Sequence, residues 1–274
     1  MSGKRRSLTA TLLVAFFALL TLASLYGFTH EWRMPAVTVE GRGIDGVLDY
    51  LFLATAAICL AGHFVLCWFI WGSTSGKATG AYRRPSRRME WLWGLVPVLV
   101  MTVLSEAGVL VVASPVWHSM YIEEPAEPLM LEVVGKQFEW FARYPGADGK
   151  YIPYHFADVS GADNPLGLDE FAEQPLDDIV KRGQLYLPVG RPVILRLRTH
   201  DVIHSFFVPA FRVKQDLIPG FPTRIKFTPE KVGTYELACA ELCGLGHYKM
   251  RGLVHVVEPE EFQRWLGEQP TFGG

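Results

Sequence analysis

The sequence predicts a membrane-anchored all-β protein, with three N-terminal transmembrane helices followed by a β-sandwich or barrel. Three long apolar segments predict the helices, because a helix needs about 20 apolar residues to cross a bilayer. After Trp117 the pattern changes to short alternating runs separated by Pro and Gly turns, which is typical of an antiparallel all-β domain. The 274 residues carry a net charge of only -2 and contain no basic domain, so we expect no nucleic-acid partner.

The apolar segments run from Leu8 to Phe28, from Tyr50 to Trp71 and from Trp91 to Trp117. We assign residues 1–28 to an N-terminal transmembrane helix and 47–117 to a helical hairpin. The third segment carries one carboxylate, Glu106, which should face protein or water because a charge in lipid is costly. We assign no family role to Glu106 and expect membrane lipid around all three helices.

The first segment has a second interpretation. Its basic start at Lys4, Arg5 and Arg6 is also typical of a cleaved signal peptide. The apolar run is long for a signal peptide and lacks a small-x-small cleavage site. We therefore expect a retained helix.

The charges of the loops predict the orientation, since positive charge stays in the cytoplasm. The 72–90 loop contains five basic residues and one acid, whereas the 29–49 loop contains two basic and four acidic residues. The five basic residues are Lys77, Arg83, Arg84, Arg87 and Arg88. We expect a multi-pass protein of the bacterial inner membrane, or its mitochondrial equivalent, with a cytoplasmic N-terminus and a periplasmic C-terminal domain.

The C-terminal domain, residues 128–258, contains seven predicted strands. They are Met130–Val134, Gln137–Arg143, Gln184–Leu187, Val193–Thr199, Arg224–Thr228, Tyr235–Cys239 and Gly252–Val257. The segment 144–184 is rich in Pro, Gly and Asp and predicts a long insertion, with a short helix near Leu176–Lys181. In the segment 259–274, a first-turn proline and two glutamates predict a closing helix over Pro259–Gly267.

Four potential metal ligands lie within twelve residues: Cys239, Cys243, His247 and Met250. Thiolate and thioether favour copper(I), zinc or iron–sulfur over hard cations. The thioether favours copper, because a closed zinc site uses only cysteine and histidine. The spacing is neither Cys-x-x-Cys nor Cys-x-x-Cys-His, so it predicts neither a thioredoxin-like motif nor covalent haem. The alternatives are a disulfide, or a cysteine pair with an unrelated histidine and methionine nearby.

A single loop rarely closes a metal site, so we expect a further ligand from the end of an earlier strand. His204 is the candidate, because the apolar run Phe206–Pro209 that follows would give a copper site a dry shell. Three other histidines compete: His155, His200 and His255. Of these, His200 ends an Arg-rich alternation and His255 lies in an alternating strand.

Three segments together resemble subunit II of the haem–copper cytochrome c oxidases. They are DVIHSFFVP at Asp201–Pro209, KQDLIPG at Lys214–Gly220 and CAELCGLGHYKM at Cys239–Met250. The similarity covers roughly Glu90 to Val257, and the membrane hairpin fits it. The resemblance implies a cupredoxin-like Greek-key domain that holds a two-copper, mixed-valence centre, CuA.

The resemblance also implies the ligand roles, by matching position. Cys239 and Cys243 would be bridging thiolates, and His204 and His247 would each ligate one copper through an imidazole. Met250 would be a weak axial ligand to one copper.

Two carboxylate residues take further roles from the resemblance. The main-chain carbonyl of Glu241 would serve the other copper. Its side chain matches a ligand to a magnesium ion at the border with subunit I, and a carboxylate suits that hard ion. Glu90 resembles the acidic residue near the entrance of a proton channel in subunit I. The alternative for Glu90 is a helix N-terminal carboxylate favoured by the macrodipole.

The strand Gln137-Phe138-Glu139-Trp140 resembles the family's Gln-Trp-aromatic-Trp patch, where electrons arrive from cytochrome c. Phe138 stands where the family has the first tryptophan, and Trp140 matches the second. Both are candidates for electron input. The alternative for both aromatic side chains is packing in the core.

The expected function is that of the electron-input subunit of a respiratory oxidase. It would take electrons from a c-type cytochrome, soluble or in a membrane-bound complex, and pass them to haem held only in subunit I. There oxygen is reduced and protons are pumped. A CuA subunit of a related nitric oxide reductase is one alternative. A membrane-anchored copper carrier or assembly protein is another, and the full ligand set argues against it.

The donor cytochrome is expected to be a separate protein, because the sequence contains no Cys-x-x-Cys-His motif. The first helix and the 144–184 insertion exceed the minimal family plan. We expect one of them to dock an additional partner, such as a membrane-bound cytochrome complex.

Overall fold

The computed structural model describes residues 3–30, 33–74, 84–161 and 163–274. Lys77 and Arg83, which contribute to the predicted orientation, lie outside the described residues. The chain forms two compact units. One comprises residues 1–34 and 45–115 and is helical, and the other comprises 35–44 and 116–274 and contains the β-domain.

Three helices among the described residues are long and apolar enough to cross a membrane, as predicted. Helix α1 spans Gly3–Thr29 and α2 spans Val39–Thr74. The third consists of α3 (Arg87–Met101), a π-helical turn (Thr102–Ala107) and α4 (Gly108–Tyr121). Few or none of the side chains in these spans are buried within the chain, which suits surfaces that face lipid or a partner subunit.

The π-helical turn contacts α2. The Tyr50 hydroxyl donates a hydrogen bond to the main-chain carbonyl of Leu104. Gly108 leaves the space for Tyr50, because a Cβ at that position would collide with the hydroxyl. Glu106 lies in the same turn and is exposed.

The β-domain is a sandwich of two five-stranded sheets. The first sheet has the order β3-β2-β1-β5-β8, and the second has the order β4-β10-β9-β6-β7. The strands are β1 (Leu129–Lys136), β2 (Glu139–Tyr144), β3 (Ile179–Arg182), β4 (Gln184–Pro188), β5 (Val193–Thr199), β6 (His204–Val208), β7 (Val213–Leu217), β8 (Thr223–Phe227), β9 (Gly233–Cys239) and β10 (Arg251–Val257). Helix α5 (Pro259–Gly267) follows the last strand. The prediction of three apolar helices followed by a β-sandwich is confirmed.

Two details of the predicted β-structure were wrong. The pairs β1–β5 and β4–β10 are parallel, so the sandwich is not purely antiparallel. The helix expected near Leu176–Lys181 is absent, and Ile179–Arg182 forms β3, paired with β2. The β-branched pair Ile179-Val180 favours a strand, and pairing with β2 supplies the hydrogen bonds that a single helical turn would lack.

The first sheet is buried on both faces. Alternating side chains of β1 and β2, such as Val133 and Trp140, enter the core between the sheets. Their neighbours Val134 and Phe141 enter a second core on the opposite face. Side chains of the insertion, Ile152, Leu166 and Leu168, complete that second core. The insertion therefore covers the outer face of the first sheet.

A buried ionic cluster fastens the insertion to the sheet. The Arg143 guanidinium lies 2.9 Å from Glu132 and also binds Asp178, which lies in the insertion. Arg198 on β5 lies 3.1 Å from the same Glu132. All four residues are at most 3% exposed. Every carboxylate of the cluster thus has a cationic partner away from water.

We predict that Arg143→Met lowers the free energy of unfolding by about 3–5 kcal/mol, because it leaves buried carboxylates unpaired. Arg182→Met is the matched control, since the Arg182–Glu139 pair is 66% and 36% exposed. It should cost at most about 1 kcal/mol. Urea denaturation of the detergent-solubilised chain measures the free energy of unfolding of both variants. Equal decreases in the two variants would contradict a stabilising role for the buried cluster around Arg143.

Candidate metal centre

The predicted ligands meet at one end of the second sheet. Antiparallel pairing aligns Phe206 of β6 with Cys239 of β9. His204 begins β6 and Cys239 ends β9, so this register brings their side chains together. The following loop returns to the same end, because Met250 directly precedes β10.

Hydrogen bonds close the loop from Cys239 to Met250. The Cys239 amide donates to the Met250 carbonyl at 3.1 Å. Gly244 has φ of +133°, a conformation that side chains other than glycine rarely adopt. From the turn between β1 and β2, the Gln137 side-chain amide donates to the Cys243 carbonyl at 2.6 Å. The loop is therefore tied to both sheets.

The donor atoms form two similar halves. The sulfurs of Cys239 and Cys243 lie 3.9 Å apart as free thiols, so the alternative of a disulfide is not formed. His204 Nδ1 lies 3.9 Å from the Cys239 sulfur, and His247 Nδ1 lies 3.7 Å from the Cys243 sulfur. The Met250 sulfur lies 3.7 Å from that of Cys243. Each sulfur thus has its own imidazole.

Glu241 presents its two kinds of oxygen to different partners. Its main-chain carbonyl lies 3.1 Å from the Cys239 sulfur, where it completes that half of the site. Its carboxylate lies 3.2 Å from the Lys214 ammonium and is 43% exposed. The carboxylate is therefore available to a partner outside the thiol cluster.

The donor set fits copper. The donor atoms of His204, Cys239 and Cys243 lie within 4.8 Å of one another. Two thiols and two imidazoles would already complete a tetrahedral zinc site, so the thioether and carbonyl exceed what zinc requires. Soft sulfur donors beside imidazoles suit copper, and two sulfurs flanked by separate imidazoles suit a pair of metal ions.

Three of the donor side chains are shielded from water. His204, Cys243 and Met250 are each at most 3% exposed. The Trp140 ring lies 6.2 Å from the His204 ring and 6.1 Å from the Phe206 ring, measured between centroids. Exclusion of water strengthens the electrostatic interactions of a bound ion and influences its potential.

Asp201 orients His204. Its Oδ1 lies 2.9 Å from His204 Nε2, and its Oδ2 accepts the Gln137 amide at 2.7 Å. A carboxylate on Nε2 fixes the tautomer that leaves Nδ1 toward the sulfurs. Sequence reasoning assigned no role to Asp201 or to Gln137. The signal was present for Asp201, as a carboxylate three residues before a ligand histidine.

Proton affinities in the cluster follow from these contacts. Burial lowers the pKa of the His204 imidazole, but hydrogen bonds with Asp201 and Cys239 raise it to about 9. Burial raises the pKa of the Cys239 thiol, but the hydrogen bond with His204 and those with the backbone lower it to about 6. Burial and the charge of Cys239 raise the pKa of the Cys243 thiol to about 11. The contact with His204 thus favours the thiolate form of Cys239, which is the form of cysteine that binds a metal ion.

The two aromatic candidates for electron input have different places. Phe138 is partly buried, and its ring lies against the ligand loop, where a Cβ on Gly244 would come within 3.1 Å of it. A Cβ on Gly246 would overlap the same ring. Trp140 is 2% exposed and packs in the core. Of the two rings, Phe138 is thus the one that is partly exposed and lies against the ligand loop.

The remaining histidines that competed with His204 have other contacts. His155 lies 3.9 Å from Asp169, His200 packs on an aromatic ring at 5.9 Å, and His255 stacks on Tyr186 at 4.5 Å. Glu90 is exposed and lies in the first turn of α3.

The fold and the donor set define a membrane-anchored β-sandwich protein with a soft-metal centre at one end of a sheet. A family model described as cytochrome C oxidase subunit II, periplasmic domain, matches residues 129–257. The chain is 35% identical over 250 residues to the alternative cytochrome c oxidase subunit 2 of Bradyrhizobium diazoefficiens, covering 90% of this chain and 87% of that relative. It is 48% identical over 286 residues to the probable cytochrome c oxidase subunit 2 of Streptomyces avermitilis, covering 96% and 88%.

Among solved structures, the periplasmic domain of subunit II of cytochrome oxidase of Bradyrhizobium japonicum is 30% identical, with a TM-score of 0.38. The match covers 52% of this chain and 94% of that one. The chain belongs to the cytochrome c oxidase subunit II family, which confirms the resemblance found in the sequence. Its β-domain is the cupredoxin-like domain of that family.

We predict that Asp201→Asn weakens copper binding about 10- to 100-fold, because loss of a carboxylate partner disorients a ligand histidine. Competition with a copper chelator on the purified chain measures the affinity. Asp148→Asn, in a turn of the insertion, is the control and should leave the affinity unchanged. Equal affinities of Asp201→Asn and the unmodified chain would contradict the positioning role.

Proposed function

We propose that this chain is the electron-input subunit of a respiratory haem–copper cytochrome c oxidase. The residues that would hold a binuclear copper centre, CuA, are His204, Cys239, Cys243, His247 and Met250, with the main-chain carbonyl of Glu241. The observation that carries the proposal is the pair of thiols 3.9 Å apart, each beside its own imidazole. Membership of the oxidase subunit II family supports it.

When bound, the copper pair supplies a one-electron redox couple between a c-type cytochrome and the haem of subunit I, where oxygen is reduced and protons are pumped. The chain contributes a rigid frame for that couple. Cys239 and His204 lie at the ends of paired strands, and hydrogen bonds close the ligand loop. Ligands held this firmly move little when charge changes, which keeps the energetic cost of electron transfer low.

Phe138 is the proposed contact for the donor cytochrome. Its ring covers the glycines of the ligand loop, and the preceding residue, Gln137, connects both halves of the site. The Gln137 amide binds Asp201, which holds His204, and its side chain binds the Cys243 carbonyl. A donor cytochrome bound at Phe138 would therefore lie next to Gln137, whose hydrogen bonds lead to both halves of the metal site. Trp140 would support His204 from the core.

The other proposed roles concern the partner subunits. The exposed Glu241 carboxylate would contribute one ligand to a magnesium ion at the border with subunit I, whose residues would have to supply others. Glu90 would lie near the cytoplasmic entrance of a proton channel in that subunit. The loop charges support a cytoplasmic N-terminus and a periplasmic β-domain in a bacterial inner membrane.

Electron paramagnetic resonance of the purified oxidase complex tests the copper assignment. We predict hyperfine structure from one unpaired electron shared by two copper nuclei. Cys243→Ser should abolish that pattern, because it removes a shared thiolate, whereas His155→Asn, at an exposed histidine, should preserve it. A pattern from a single copper in the unmodified complex would contradict the proposal.

Phe138→Ala tests the proposed donor contact. We expect the KM for the reduced cytochrome donor to rise about tenfold, as when an aromatic anchor is removed from an interface. The CuA resonance should remain, which separates lost docking from a lost metal site. Phe171→Ala, at a ring 92% exposed in the insertion, is the control and should leave the KM unchanged. Equal KM values for Phe138→Ala and Phe171→Ala would show that the donor cytochrome does not bind at Phe138.

A further inference from the structure

The ligand loop carries large apolar side chains that the chain itself does not cover. Leu242 is 83% exposed, Leu245 is 97% exposed and Tyr248 is 78% exposed. Three such side chains in one short loop are typical of a surface that contacts another protein. Leu242 follows Glu241, whose carboxylate is proposed to face subunit I. Leu245 and Tyr248 are thus left for a second partner.

Leu245 lies beside Phe138, the proposed contact for the donor cytochrome. Its two neighbours in the chain, Gly244 and Gly246, both lie against the Phe138 ring. A Cβ on Gly244 would come within 3.1 Å of that ring, and a Cβ on Gly246 would overlap it. Leu245 and Phe138 therefore form adjoining parts of one apolar surface, which extends the proposed donor contact onto the ligand loop.

The carboxylates of the ligand loop, of β9 and of the start of β2 already have cationic partners. The pairs are Glu241–Lys214, Glu236–Arg251 and Glu139–Arg182. The Asp201 carboxylate is occupied by His204 and by the Gln137 amide. These carboxylates are therefore not free to pair with lysines of a donor protein.

Two lysines lie at the same surface without such a partner. Lys249 is exposed in the ligand loop, and its ammonium lies 5.4 Å from the centre of the Tyr248 ring. Lys136 directly precedes Gln137, in the turn that binds the ligand loop. Among the described residues, no carboxylate lies within ion-pair distance of either ammonium. The unpaired charge of the ligand loop and of this turn is therefore positive.

We infer that the donor cytochrome docks on Leu245 and Tyr248, beside Phe138, through an apolar patch whose rim is neutral or acidic. This inference rests on the proposed electron-input function. Carboxylates on the donor would pair with Lys249 and Lys136, whereas lysines on the donor would be repelled by them. Removal of Leu245 from water would supply binding energy that does not depend on charge.

Turnover of the purified oxidase complex with one cytochrome in two forms tests the charge of the donor. The probe is a basic, soluble c-type cytochrome, used as purified and after succinylation of its lysines, which replaces positive charge by negative charge. At low ionic strength the succinylated form should have a KM at least about threefold lower, as expected for steering by opposite charge. Salt should reduce this difference.

Lys249→Gln should reduce the difference in KM between the two forms about twofold, because it removes one of the two unpaired cations. Lys231→Gln is the matched control, since it removes the same charge from an exposed turn at the opposite end of β9. It should leave the difference unchanged. A lower KM for the basic form, or equal KM values for the two forms, would overturn the inference.

Leu245→Ser tests the apolar contact. The KM for both forms of the cytochrome should rise about fivefold, as when a central apolar side chain is lost from an interface. Val232→Ser is the control, because Val232 is 50% exposed in the turn at the opposite end of β9 and should not affect the KM. An unchanged KM in Leu245→Ser, or an equal rise in Val232→Ser, would overturn the inference.

Failure of this inference differs from failure of the proposed function. If only the docking surface is wrong, the unmodified complex still oxidises the cytochrome and shows the CuA resonance, and only the pattern of KM values differs from the expected one. If the unmodified complex oxidises neither form and lacks that resonance, the proposed function is contradicted, and the inference with it.

Discussion

The pairing of β6 with β9 is the interaction on which the candidate metal centre depends. It aligns Phe206 with Cys239, and the Ala240 amide extends the contact by donating to the Ser205 carbonyl at 3.1 Å. A slip of one residue would turn His204 to the opposite face of the sheet and remove it from Cys239. The burial of Phe206 at 0% exposure opposes such a slip. Packing of the core therefore fixes a distance between ligand atoms that come from separate strands.

The first sheet supplies the second constraint on the centre. A Cβ on Gly135 of β1 would lie 3.2 Å from the His204 ring, so the glycine allows the two sheets to approach closely at this point. The turn that follows β1 carries Gln137 and Phe138, which bind and cover the ligand loop. The centre is thus enclosed by both sheets, although its donor atoms come from the second sheet and from the loop between β9 and β10 of that sheet.

The parts of this structure that could be predicted are those that a short, continuous stretch of sequence determines. Each transmembrane helix must be a continuous apolar run, and Cys239 to Met250 carries its donors in a single loop. The supporting contacts were not predictable in this way, because Gln137 binds groups 64 and 106 residues away along the chain. The sequence pattern did not predict strand β7, because its sequence, VKQDL, places three polar residues in a row and so does not alternate. Its register comes from pairing with β6, which only the folded sheet supplies.

Buried polar groups serve two different purposes in the β-domain. In the cluster around Arg143, each carboxylate faces a guanidinium, so the chain satisfies its own charges and holds the insertion in place. At the metal end, two thiols, two imidazoles and a thioether face one another at 3.7 to 3.9 Å, and these groups are weak hydrogen-bond partners for each other. Apolar residues of similar size would stabilise that end of the sandwich at least as well. The arrangement is therefore explained by what these donors can bind, and not by what they contribute to folding.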